Sequence, residues 1–127
     1  MKKLLLGALL LLSSFMCFAQ DTFVKKYTSM VTKEKGVLQP WQTADITVVF
    51  NPNGVRDVVI YFSNGSKKVL HQVGSVTQGK TKNNEPYQFV QCIDDEDGMK
   101  VAVQLFDDDT CLRIIIADGY YVEFHKD

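Results

Sequence analysis

Histidine is scarce in this chain. Only His71 and His125 occur, and neither has a serine or cysteine at a spacing that signals a nucleophile and its base. A catalytic triad cannot be nominated, and no enzyme activity is expected. An excess of one charge is missing too: 14 Lys and Arg stand against 15 Asp and Glu, interspersed, for a net charge of −1. That balance gives no electrostatic case for nucleic acid or an anionic membrane as partner. After the first residues no run is apolar enough to span a membrane. Internal repeats and low-complexity tracts are absent as well.

What is present begins with a leader. Met1-Lys2-Lys3 is a basic start, Leu4 to Leu12 an apolar stretch, and Cys17-Phe18-Ala19 ends in a small residue. This is the order of an export signal, so residues 1–19 are expected to be removed and residues 20–127 to form one domain. The product is expected to be secreted or periplasmic. Lipid attachment at Cys17 is the lesser alternative, because Met16 is not the small residue such a site wants before the cysteine.

The most informative stretch runs from Tyr87 to Phe124: YQFVQCID, DEDG, MKVAVQLF, DDDT, CLRIIIA, DG, YYVEF. Four runs rich in Val, Ile, Phe and Tyr alternate with three turns of Asp, Thr and Gly. Such residues suit a pleated, half-buried surface, and Asp-Gly supplies the positive φ of a tight hairpin. The stretch reads as an antiparallel meander. Closing its turns in the simplest way sets Cys92 opposite Val101, Leu112 opposite Leu105 and Ile114 opposite Val103. Cys92 and Cys111 then lie on opposite faces and too far apart for a disulfide. The same register puts Ile115, Val122 and Phe124 on the face away from Leu112, Ile114 and Ile116, leaving the last hairpin apolar on both sides.

Upstream, Asp21 to Lys35 admits two readings. Phe23, Val24, Tyr27, Met30 and Val31 recur at helical spacing, yet the segment is rich in β-branched and aromatic residues. A strand is the favoured reading, a helix lying as a lid on the sheet the other. Pairing Phe50 with Arg56 across Asn51-Pro52-Asn53-Gly54 places Val48 opposite Val58 and Ile46 opposite Ile60. A two-residue Asn64-Gly65 turn then sets Val69 opposite Ile60 and turns His71 inward. Gly74 to Pro86 is polar and reads as the one long loop. Trp41, the only Trp, is expected in the core or at the rim of the fold, with a ligand platform as the sharper alternative.

Two motifs match in letters only. Gly74-Ser75-Val76-Thr77-Gln78-Gly79-Lys80-Thr81 spells a P-loop, but a strand rather than a helix should follow it. Asp94 to Gly98 resembles a calcium loop, but Ile93 and Gln104 fall at the first and last ligand positions. No metal and no cofactor are expected.

The expected fold is therefore all-β: a small antiparallel meander barrel or a two-layer sandwich of about seven or eight short strands. In outline it resembles the lipocalin-like barrels, without a diagnostic motif. The expected function is a non-catalytic binding module acting by protein–protein contact. In one version it is a protease-inhibitor-like protein that presents the 74–86 loop through Lys80, Thr81, Lys82, Asn83 and Asn84. The alternative is a carrier of apolar small molecules with a barrel cavity, sensed by Trp41 or Tyr121. A third reading is an enzyme built from Asp57, His71 and the acidic turns.

Overall fold

The computed structural model describes residues 21–108 and 110–126. The expected leader, including Cys17, lies outside them. The N-terminal segment is a strand rather than a helix: β1 spans Phe23–Glu34. After it come β2 (Val37–Leu38), β3 (Gln42–Phe50), β4 (Asp57–Phe62), β5 (Lys67–Gln72) and β6 (Thr77–Lys80). The chain ends with β7 (Pro86–Asp94), β8 (Lys100–Phe106), β9 (Cys111–Ala117) and β10 (Tyr120–His125). Every pairing is antiparallel, and β10 returns to pair with β1. The result is a closed eight-stranded barrel of β1, β3, β4, β5, β7, β8, β9 and β10, with β2 and β6 as short additions. Closure removes the exposed edges of the eight barrel strands, leaving free edges only on the short β2 and β6 among the described residues.

Alternation along each strand sends one set of side chains inward. Tyr27, Ile46, Val48, Phe50, Val58, Ile60, Leu70, Val90, Val103, Leu112 and Phe124 meet there as a single core. Cys92 lies among them opposite Val101, and Cys111 is on the outer face, so both thiols are free. Burial pushes each thiol up to about 12, which keeps both protonated at neutral pH.

Three registers differ from expectation, each for a local reason. Phe50 pairs with Val58 and Val48 with Ile60, because the turn from Asn51 is longer than four residues and Asn51 N–H bonds Asp57 O. A shift by two keeps the same side chains inward. Between β4 and β5, Ile60 faces Lys68 and Val59 faces Val69. The turn there is Ser63-Asn64-Gly65, with Gly65 at φ 88° and Ser66 held by the Asn64 side chain. Three residues instead of two shift the register by one, so Leu70 turns inward and Val69 and His71 outward. Finally, a bulge beyond Tyr120 aligns Tyr121 with Ile115 and Val122 with Ile114. Val122 and Phe124 thus join Leu112 and Ile114 inside, and the last hairpin is not apolar on both sides.

Gly74 to Pro86 is not a loop. Its middle forms β6, which pairs with the first half of β7 and makes a short arm. The Thr81 side chain organises the arm's tip by accepting the backbone N–H groups of Asn83 and Glu85. A strand and a turn follow the P-loop letters, so no helix N-terminus exists to hold phosphate.

The two ends of the barrel are unlike. At the end carrying the 51–57 turn, buried Asn51 and Gln72 close the interior with polar groups. The other end carries the 63–65, 95–98 and 118–119 turns, and there the apolar interior is open.

Candidate functional site

The open end contains a pocket of about 300 Å³. Its floor is Ile60, Leu70 and Phe124, none more than 1% exposed. Met30, Phe62 and Val122 are partly buried and form the sides, and Ile116 stands at the solvent edge. Two irregularities build this lining. A bulge between Tyr27 and Ser29 reverses the parity of β1, so Tyr27 and Met30 both face inward. The bulge in β10 does the same for Val122 and Phe124. Regular strands would have pointed Met30, Val122 and Phe124 outward.

One ion pair interrupts the apolar wall. Lys68 Nζ lies 2.6 Å from Asp94 Oδ2, and Asp94 Oδ1 accepts the Glu96 backbone N–H at 3.0 Å. Burial alone would push the Asp94 carboxyl up, but the bonds from Lys68 and Glu96 and the Lys68 charge hold it below its usual value. The hydrogen bond to Asp94 raises Lys68 in turn, against the opposing effect of burial. Both groups therefore stay charged at neutral pH, and they supply the only charges in a recess whose one other polar lining residue is Thr32.

The residues singled out from sequence lie elsewhere. Lys80, Thr81, Lys82, Asn83 and Asn84 form the exposed tip of the arm at the opposite end of the barrel. Gly79 is needed within that arm, since a Cβ there would fall 2.6 Å from the Tyr87 ring. Trp41 is 57% exposed on the outer wall, neither core nor pocket, with its ring 4.7 Å from that of His125. Tyr121 also faces outward and stacks under the Arg113 guanidinium.

His71 is corrected from inward to outward, and it does meet Asp57 and an acidic-turn residue. Nδ1 is 2.7 Å from Asp57 Oδ1 and Nε2 is 2.8 Å from Asp95 Oδ1. Bonds to Asp95 and Asp57 raise the imidazole above 6.5. Carboxylates occupy both ring nitrogens, so neither is left to take a proton from a nucleophile. The cluster is a clamp between β4, β5 and the acidic turn.

Among the described residues one trio of metal-donor side chains converges: Cys111, Glu123 and His125, whose donor atoms all lie within 4.8 Å of one another. Sequence reading missed it because the three meet only through the β9–β10 register. No family model, no curated protein and no solved structure matches this chain.

Proposed function

We propose that this barrel is a non-catalytic carrier that holds one small apolar or weakly amphipathic molecule in its open end. The observation that supports the reading is the recess over Ile60, Leu70 and Phe124, apolar save for Thr32, Lys68 and Asp94. Its 300 Å³ lies at the lower limit for small-molecule sites. An apolar cavity of about 150 Å³ takes benzene, so the occupant is roughly a two-ring or short-chain molecule. With the leader, the reading becomes that of an exported, lipocalin-like binding protein.

The test is fluorescence titration with N-phenyl-1-naphthylamine, an apolar probe whose two-ring naphthyl group matches the recess in size. The protein should give saturable enhancement, and Val122→Trp, which fills the recess, should reduce affinity at least tenfold without loss of the fold. Absence of saturable binding, or equal binding by the filled variant, would remove the carrier reading.

Protein–protein contact is the second reading, and the β6–β7 arm favours it. Among the described residues β6 pairs with β7 alone, so its other edge can accept a strand from a partner. Lys80, Thr81, Lys82, Asn83 and Asn84 would flank the contact. Lys80→Ala/Lys82→Ala should weaken any partner retained from the exported proteins of the source; undiminished retention would sink this version.

A further inference from the structure

The outer wall offers a second kind of chemistry, independent of the pocket. Cys111 and His125 are direct cross-strand partners on β9 and β10, and Glu123 lies two residues before His125 on the same face. Direct opposition brings Cβ atoms to about 5 Å, and the i, i+2 spacing adds the third donor to that row. Cys111 opens β9 and His125 closes β10, where His125 also pairs with Ser29 of β1, so the three donors gather at one end of paired strands.

We propose that Cys111, Glu123 and His125 form a binding site for a divalent metal of the zinc type, with three protein ligands and one position left to solvent. Thiolate, imidazole and carboxylate together suit Zn2+, which holds S, N and O donors at about 2.0–2.3 Å. Tetrahedral donors at those lengths stand roughly 3.3–3.8 Å apart. The observed donors lie within 4.8 Å of one another and His125 Nε2 is 2.7 Å from Glu123 Oε1, so small rotamer changes suffice.

The surroundings hold the donors as ligand-supporting groups do. Arg113 donates from Nε and Nη2 to Glu123 Oε2 alone, which leaves Oε1 directed at His125. The Trp41 ring stands edge-on against the imidazole and limits its rotation. Cys111 and Glu123 are only 8% and 7% exposed, while His125 keeps a face to solvent through which an ion can enter.

Charge also balances. On binding, the Cys111 thiol proton leaves to solvent, and the His125–Glu123 hydrogen bond is replaced by one metal bond to each. A dication with one thiolate, one carboxylate and one neutral imidazole is neutral overall, which suits a site where two of the three ligands are buried. Arg113 keeps its own charge outside the donor set.

Cobalt(II) is the probe, because it takes the same tetrahedral donors and absorbs light. The metal-free full chain should show a thiolate-to-cobalt charge-transfer band and visible d–d bands that saturate at one equivalent and vanish when Zn2+ is added. Cys111→Ser should lose the charge-transfer band with its far-UV circular dichroism unchanged. His125→Gln should weaken cobalt binding at least tenfold, and Cys92→Ala should leave the spectrum as it is. The proposal is overturned if the wild type shows no charge-transfer band, or if Cys111→Ser keeps it. Should Cys111→Ser fail to fold, His125→Gln decides: cobalt affinity equal to wild type there overturns the site.

Discussion

Asn51→Ala is expected to lower the free energy of unfolding by about 3 kcal/mol, and the melting temperature by roughly 15 °C. Asn51 is fully buried, with φ 55° and ψ 52°, in the left-handed region that a short amide side chain tolerates and alanine resists. Its Nδ2 donates to Asp21 O at 3.1 Å, and its Oδ1 accepts Gln72 Nε2 at 2.9 Å. Its backbone O takes the Thr22 hydroxyl at 2.6 Å and the Gly54 N–H at 3.1 Å. One side chain thus ties the N-terminal segment, the turn and β5 across the closed end of the barrel. Removing it takes the shortest bond from the buried Gln72 amide, leaving its Nε2 only the 3.5 Å contact to Asp57 O, and adds backbone strain. Asn51→Gly relieves the strain and keeps only the hydrogen-bond loss, so it should cost about 2 kcal/mol. Urea denaturation with an unchanged slope separates the two. A loss below about 0.5 kcal/mol in the alanine variant would mean that Asn51 does not close this end.

That role shows where the sequence was readable. The Asn51-Pro52-Asn53-Gly54 letters announce a turn, and a turn is there, but nothing local says that Asn51 is the buried member. The strands were readable for a different reason. Period-two alternation and Asp-Gly punctuation act within a few residues, so the Cys92–Val101, Leu105–Leu112 and Val103–Ile114 pairings follow from the turns alone. Parity errors arose where one residue was added. A three-residue turn at Ser63-Asn64-Gly65 turned His71 outward, and the bulges in β1 and β10 brought Met30, Val122 and Phe124 inside. A one-residue shift exchanges faces, and its energy depends on the closed barrel rather than on neighbouring letters. Gly74 to Pro86 reads as a long loop because its four-residue strand is too polar to stand out, and it forms only along β7. The open-end pocket depends on the two bulges, and the Cys111–Glu123–His125 trio on the β9–β10 register. Neither was visible one residue at a time.

Lys68→Met is expected to destabilise the protein by about 1–2 kcal/mol at neutral pH. Breaking a buried pair from one side costs about 3–5 kcal/mol, and the figure is reduced here because the Lys68 side chain is 37% exposed and screened by water. The damage falls on Asp94, whose side chain is 7% exposed and stays behind in the recess without its cation. The pH dependence should change sign. In the wild type Asp94 titrates below its usual 3.8, so its stabilising effect is full above that value and is lost as pH falls through the lowered one. In Lys68→Met the carboxyl should titrate above 3.8, so the native state binds the extra proton and gains stability relative to neutral pH as the solution is acidified toward that value. The gap between the two proteins should therefore be widest near neutrality and narrow below about pH 4. Lys68→Met/Asp94→Asn removes the stranded charge but keeps the acceptor for Glu96 N–H, and it should recover most of the loss. Chemical denaturation across pH reads all three outcomes. A variant whose deficit stays constant from neutral to acid would show that Lys68 supports the wall by packing rather than by charge. The carrier reading adds a further expectation: the double variant, with its recess uncharged, should hold N-phenyl-1-naphthylamine at least as tightly as the wild type, since the pair contributes no contact that an apolar probe can use.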